Sequence, residues 1–171
     1  MPDDVKTILF VEDSEVELIS YRNMMERAGY CVQTAKDGLE AMRVLHNIVP
    51  DLVLLDLMLP RFDGVEVLKF IRSNAGLKTV PVIIFSTNSI LDAEDEPLLE
   101  GATKRLLKSQ CTPPLMLLAI REVFANAAKT NSGSAASKAD AKAPTKVNGK
   151  AAGEVNGELD TEHRIAAALA D

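Results

Sequence analysis

The groups in this sequence most suited to chemistry stand directly after strand-like apolar segments. They comprise three carboxylates, two hydroxyls and one ammonium group: Glu12, Asp13, Asp56, Ser86, Thr87 and Lys108. Asp56 follows the apolar run Leu52–Leu55, and a carboxylate at the end of a buried strand costs free energy unless a partner compensates it. Carboxylates gathered at one place repel one another, and a hard divalent cation such as Mg²⁺ relieves that repulsion because it prefers oxygen ligands. Ionised by cationic neighbours, Asp56 is then a candidate nucleophile, whereas alone it fits a capping or ion-paired aspartate equally well.

The elements that must position these groups alternate between strand and helix within residues 1–126. The sequence predicts strands over 6–11, 31–35, 51–55, 80–85 and 103–107. It predicts helices from Ser14 to Ala28, after the cap residue Asp37, over Gly64–Ser73 and after Thr112, with Leu115, Leu118 and Val123 on the buried side of the last. This alternation predicts a parallel sheet with helices on both faces. Because ligands bind beyond the carboxyl ends of such strands, the candidate groups should meet at one edge.

Composition and charge exclude several classes of function. The chain of 171 residues has a net charge of −6 and a pI near 5.0, which argues against a nucleic-acid-binding surface. It contains no apolar run of the length that a membrane span needs and no signal peptide, so we expect a cytoplasmic protein. Cys31 and Cys111 match no metal-binding spacing, and we expect reduced thiols with Cys31 buried in its strand.

The composition changes near residue 126. Residues 127–153 are rich in Ala, Lys, Ser and Gly and carry five lysines against one aspartate. We expect one globular domain that carries the candidate groups over 1–126 and a flexible linker over 127–157. Residues 158–171 form either a short amphipathic helix that docks a partner or a frayed end.

Four motifs identify a family resemblance over about residues 5–126. They are VEDSEVE at 11–17, LLDLMLPRFDG at 54–64, PVIIFST at 81–87 and GATKRLLKS at 101–109. Together they resemble the receiver domain of two-component response regulators, most of all the single-domain kind related to the chemotaxis regulator. The resemblance implies a flavodoxin-like (βα)5 fold with strand order 2-1-3-4-5. It also implies signalling by phosphorylation-dependent contact with a downstream protein.

The resemblance further implies the role of each site residue. Asp56 would accept a phosphoryl group from a phosphohistidine of a sensor histidine kinase or a histidine phosphotransfer protein. Mg²⁺ would be held by Asp13, Asp56 and the backbone carbonyl of Met58, with Glu12 acting mostly through water. Ser86 would bond the phosphoryl group, Thr87 takes the position after it, and Lys108 would pair with the phosphate. The chain would then be a phosphoacceptor that catalyses its own phosphorylation and dephosphorylation, not an enzyme acting on a separate substrate.

Two departures from the family pattern concern the route by which the signal leaves the domain. Arg105 stands where relatives usually carry an aromatic residue, and we expect its charged side chain to stay at the surface. The helix expected between the fourth and fifth strands contains Pro97, so we expect it to be short, broken or restarted at that proline.

Other functions fit the sequence less well. A haloacid-dehalogenase-like phosphatase needs a second aspartate two residues after the nucleophile, where this chain has Met58. No GxGxxG follows the first strand, which excludes a dinucleotide fold, and residues 127–171 contain no helix-turn-helix pattern for DNA. A pseudo-receiver or scaffold that binds partners without phosphorylation remains the alternative.

Overall fold

The computed structural model describes residues 5–87 and 100–132. Its strands are β1 (Thr7–Val11), β2 (Cys31–Ala35), β3 (Leu52–Leu55), β4 (Val82–Ser86) and β5 (Lys104–Leu107). Its helices are α1 (Glu15–Arg27), α2 (Gly38–Asn47), α3 (Gly64–Ser73) and α4 (Pro113–Ser132), and a short 3-10 helix covers Lys108–Gln110. None of these helices is both long and apolar enough to cross a membrane. The helix expected around Pro97 falls outside the described residues.

The strands of the described chain form one parallel sheet in the order β2-β1-β3-β4-β5. This order confirms the predicted fold. β2 lies on one side of β1 and β3 lies on the other, so the strand order reverses between β1 and β3. The groups that follow these two strands therefore lie beside each other. Val11 pairs with Leu55, so β1 and β3 end level, and Leu55 pairs with Ile84, so β4 runs two residues further to Ser86.

Helices cover the sheet on both faces because its inner strands are buried on both sides. Along β1, Ile8 and Phe10 point to one face and join a core cluster with α1 and α4. Leu9 and Val11 point the other way and are also fully buried. That second face is covered by α2 and α3. These two helices contact each other, and α2 also contacts β1.

The helix starts agree with the predicted cap residues. Ser14, Asp37 and Asp63 each accept a hydrogen bond from the backbone amide three residues later. Asp63 is therefore structural, as the sequence indicated. The last helix runs on to Ser132, beyond residue 126, where we expected the receiver to end; the compact unit itself ends at Ala127.

Two predictions about burial are wrong. In α4 the buried residues are Met116, Ala119, Ile120 and Val123, whereas Leu115 and Leu118 are 47% and 52% exposed. The apolar run after Pro114 offers two overlapping stripes, and the one containing Met116 packs into the core cluster. Cys31 is exposed and not buried, because it begins the edge strand β2, where only Val32 and Ala35 face the core.

Candidate phosphoacceptor site

The sheet brings the candidate groups together at the carboxyl edge of its strands. Glu12 follows β1, Asp56 follows β3, Ser86 ends β4 and Lys108 follows β5. The backbone amide of Asp56 donates a hydrogen bond of 3.0 Å to the carbonyl of Val11, which fixes the carboxylates of Asp56 and Glu12 side by side. Four separate strands therefore contribute to one site, as the sequence predicted.

Three carboxylates form a cluster with the geometry of a cation site. One oxygen from each of Glu12, Asp13 and Asp56 lies within 4.8 Å of the other two. Glu12 and Asp56 are buried and Asp13 is exposed, so the cluster opens to solvent on the Asp13 side. Burial raises the pKa of Glu12 to about 7, although the hydrogen bond from Lys108 acts in the opposite direction. The set contains only oxygen donors, which suits Mg²⁺ better than a softer metal ion.

Lys108 is the cation of the site. Its Nζ lies 2.5 Å from Oε2 of Glu12 and 2.7 Å from Oδ2 of Asp56, and its side chain is only 9% exposed. The same Nζ lies 5.3 Å from the centre of the Phe85 ring. Burial alone would lower its pKa, but the hydrogen bonds to Asp56, Glu12 and Glu17 raise the pKa of Lys108 well above its usual range. Lys108 therefore stays an ammonium group at any physiological pH.

Ser86 is a buried hydroxyl without a partner in the part of the chain that is described. Its residue is 3% exposed, and its Oγ has no hydrogen bond there. Ser86 pairs across the sheet with Leu107, the residue before Lys108. Buried polar atoms are nearly always hydrogen-bonded, so an orphaned hydroxyl at this edge indicates a site for an oxygen-rich ligand. Thr87, the next residue, is exposed at the end of β4.

The loop after Asp56 packs closely against its surroundings because two glycines have no side chain to prevent it. A Cβ on Gly64 would lie 2.2 Å from the Asp56 carbonyl oxygen, and one on Gly38 would lie 2.3 Å from that of Phe62. The Met58 amide donates a hydrogen bond of 3.0 Å to Oδ1 of Asp56, so the loop also orients the carboxylate. The predicted site residue Met58 therefore contacts Asp56 through its backbone, while its side chain is exposed.

An ion pair secures the far end of this loop, and sequence reasoning missed it. Arg61 has a positive φ of 68°, which is rare for a residue with a side chain. Its guanidinium binds the buried carboxylate of Asp37, which also caps α2. The Asp37–Arg61 pair thus ties the β3–α3 loop to the start of α2. A sequence signal was available, since a buried cap with a spare carboxylate oxygen needs a cationic partner.

Glu17 is the second residue that sequence reasoning missed as part of the site. Its position three residues after Ser14 is that of the partner in a capping box, but only half of that box forms. The Glu17 amide donates to Oγ of Ser14 at 3.4 Å, whereas the Ser14 amide donates to Oε1 of Glu12 at 3.1 Å. The Glu17 carboxylate instead lies 2.7 Å from Nζ of Lys108. A buried ammonium group attracts a carboxylate more strongly than a neutral backbone amide does.

Arg105 lies on β5 in a shallow cavity of about 340 Å³, away from the carboxylates. The side chain is half-buried, so our prediction that it stays at the surface is met only in part. The exposed residues Leu115 and Leu118 line the same cavity, which explains how apolar side chains of α4 lie outside the core.

Comparison with known proteins agrees with this geometry. A model of the response regulator receiver domain matches residues 8–139. The polar-differentiation response regulator DivK of Brucella ovis is 28% identical over 122 residues, which cover 71% of this chain and 98% of that protein.

Two solved structures are similar in both sequence and fold. A phosphorylated cyanobacterial phytochrome response regulator, RcpA, is 31% identical with a TM-score of 0.59, over 67% of this chain and 89% of its own. The receiver domain of a sensor histidine kinase from Pseudomonas aeruginosa is 27% identical with a TM-score of 0.62, over 70% of this chain and 97% of its own. That second structure has a magnesium ion coordinated in its active-site cleft.

Proposed function

This chain belongs to the response regulator receiver domain family of two-component signalling, and from that premise we propose that Asp56 accepts a phosphoryl group. The donor is a phosphohistidine on a sensor histidine kinase or a histidine phosphotransfer protein. The observation that carries the proposal is the position of Asp56. Its carboxylate lies 2.7 Å from the Lys108 ammonium, at the edge of the sheet where the Ser86 hydroxyl has no hydrogen-bond partner within the described residues. A purely structural aspartate would need the ion pair but not a buried hydroxyl that is left without a partner.

The reaction follows from the groups present. An oxygen of the Asp56 carboxylate attacks phosphorus, the bond from phosphorus to the donor's imidazole nitrogen breaks, and the electron pair of that bond stays on the imidazole. The product is an acyl phosphate on Asp56. Charge on the phosphoryl oxygens is stabilised by the Lys108 ammonium, and the hydroxyl of Ser86 donates a hydrogen bond to one of them. Ser86 ends β4 and Lys108 follows β5, so both groups stand at the same edge of the sheet as Asp56.

The site fits a magnesium ion. Glu12, Asp13 and Asp56 supply the carboxylate oxygens, and we propose the backbone carbonyl of Met58 as a further ligand, with Glu12 acting mostly through water. When bound, Mg²⁺ neutralises negative charge on the carboxylates and on the phosphoryl group. The fit rests on the all-oxygen donor set of this chain. Magnesium in the active-site cleft of the Pseudomonas receiver supports the same assignment.

The output of the proposed reaction is a protein contact. The described chain after β5 consists of the short 3-10 helix and α4, which leaves no DNA-binding module within it. We therefore propose a downstream protein that distinguishes the phosphorylated from the unphosphorylated chain. Cys31 and Cys111 are both free thiols, as expected in a reducing cytoplasm, and we propose that compartment.

Labelling with a small phosphodonor tests the proposal. The full chain is incubated with acetyl phosphate and MgCl₂, and the acyl phosphate is detected by its sensitivity to hydroxylamine. Asp56→Asn should take no label, whereas Asp63→Asn should label like the wild type, because Asp63 undergoes the same chemical change but only caps α3. An acid-stable label that persists in Asp56→Asn would exclude Asp56 as the acceptor. A wild-type chain that takes no label would favour the partner-binding scaffold.

A further inference from the structure

Glu17 places a third carboxylate on Lys108 that the proposed reaction does not require. Its Oε2 lies 2.7 Å from the Lys108 Nζ. That oxygen is buried and accepts no hydrogen bond in the described chain, so the ionic contact with Lys108 is what compensates its burial. Glu12 and Asp56 reach Lys108 from strand ends, whereas Glu17 reaches it from the first turn of α1.

The contact has a cost for phosphoryl transfer. An ammonium group has three N–H donors. One oxygen from each of Glu12, Asp56 and Glu17 lies 2.5–2.7 Å from the Lys108 Nζ, so three carboxylates crowd around these donors. A phosphoryl group on Asp56 needs one of these donors, so it must displace or share a carboxylate. Glu17 lies outside the cluster of Glu12, Asp13 and Asp56 that fits a cation, so it is not one of the carboxylates that would hold a metal ion there.

We propose that Glu17 is a positioning residue that shares Lys108 with the phosphoacceptor site and slows phosphoryl transfer by competing with the phosphoryl oxygens for that ammonium group. The inference rests on the proposed function of Asp56. It assigns Glu17 an effect on the rate of transfer through Lys108 and no contact with the reacting atoms. The capping role expected of the Glu17 side chain is already filled, because Oε1 of Glu12 accepts the Ser14 amide.

A matched pair of substitutions isolates the effect. Glu17→Gln removes the charge and keeps the size of the side chain. Glu15→Gln makes the same change in the same turn of α1, but Glu15 is 73% exposed and lies 3.5 Å from Lys36. The initial rate of Asp56 labelling by acetyl phosphate with MgCl₂ should rise about fivefold in Glu17→Gln, the change that an ion pair worth about 1 kcal/mol permits. In Glu15→Gln it should stay close to that of the wild type.

The dependence on Lys108 separates competition from a structural effect. In a Lys108→Ala background, Glu17→Gln should label no faster than Glu15→Gln in that background, because the shared partner is gone. A rate in Glu17→Gln equal to or below that of the wild type would overturn the inference, as would an acceleration that survives without Lys108.

Thermal unfolding supplies a measurement that needs no phosphodonor. Without metal ion, the shifts in melting temperature for Glu17→Gln and Lys108→Ala should be non-additive when combined, and additive shifts would overturn the pairing. The two proposals fail separately. A wild-type chain without label contradicts the phosphoacceptor role, whereas a labelled wild type with Glu17→Gln matching Glu15→Gln contradicts only the role of Glu17.

Discussion

The Lys108 ammonium lies 2.7 Å from Oδ2 of Asp56, although the two residues follow strands that are separated by β4 in the sheet. The lysine reaches across the end of β4, where its Nζ lies 5.3 Å from the centre of the Phe85 ring. This pair is the link between the end of β5 and Asp56. Its burial makes it important to stability as well as to chemistry, because each partner would otherwise be a buried and uncompensated charge.

Removal of Lys108 should destabilise the protein strongly at neutral pH. Lys108→Ala leaves the buried carboxylates of Glu12 and Asp56 without their cation, a change that typically costs about 3–5 kcal/mol in free energy of unfolding. Urea unfolding at pH 7 measures the loss, and MgCl₂ should restore part of it by binding the folded carboxylates. Lys104→Ala is the control, because Lys104 forms a half-exposed ion pair with Glu122. Equal losses in the two variants would contradict the role given to Lys108.

Ser86→Ala should separate stability from signalling. The hydroxyl of Ser86 is buried without a hydrogen-bond partner in the described chain, so its removal should leave the melting temperature of the unphosphorylated protein unchanged or raise it. The phosphorylated protein should instead lose stabilisation, because the phosphoryl group loses a donor. Differential scanning calorimetry with and without acetyl phosphate tests both parts, with the exposed Ser20→Ala as control. A clear destabilisation of the unphosphorylated Ser86→Ala protein would show that the Ser86 hydroxyl does make a stabilising hydrogen bond before phosphorylation.

Gly64→Ala should damage both folding and labelling. The new Cβ would lie 2.2 Å from the backbone oxygen of Asp56, and backbone cannot yield as a flexible side chain does. Overpacking of this kind costs about 1–3 kcal/mol, and the displaced Asp56 should label more slowly. Gly76→Ala is the control, because its nearest neighbouring atom is 3.5 Å from the new Cβ. Denaturant unfolding and the labelling rate would both have to match the wild type for this prediction to fail.

Stability should depend on acid through Asp51. Burial alone would raise its pKa, but hydrogen bonds from the Lys6 ammonium and the Thr7 amide, each 2.8 Å long, lower the pKa of Asp51 below its ordinary value of 3.8. A lowered folded pKa means that the stabilisation is present above about pH 4 and is lost as the pH falls through the folded pKa. Asp51→Asn should therefore be less stable than the wild type at pH 7, and the difference in urea midpoint should shrink at about pH 3. A difference that is constant with pH would show that the charge of Asp51 contributes nothing.

The sequence alone was sufficient for the fold and for the main groups of the site. Strand–helix alternation, apolar runs and cap residues are local signals, and they predicted the parallel sheet and the starts of α1, α2 and α3. The site follows from the same signals, because parallel strands must end at one edge. Any polar residue directly after a strand, such as Asp56 or Lys108, is therefore placed there once the strands are identified.

Tertiary structure alone decided which of several locally equivalent choices was made. Glu17 suited a capping box and Leu115 suited a buried helix face, yet Glu17 lies on Lys108 and Leu115 is exposed. The local sequence cannot distinguish these outcomes, since the partner that selects between them comes from a distant strand. For Glu17 that partner is the buried ammonium group that follows β5, and for α4 it is the core cluster with residues of β1, β3 and β4. Chain order thus determined which groups meet at the site, and packing of the sheet against its helices determined which charge each group contacts.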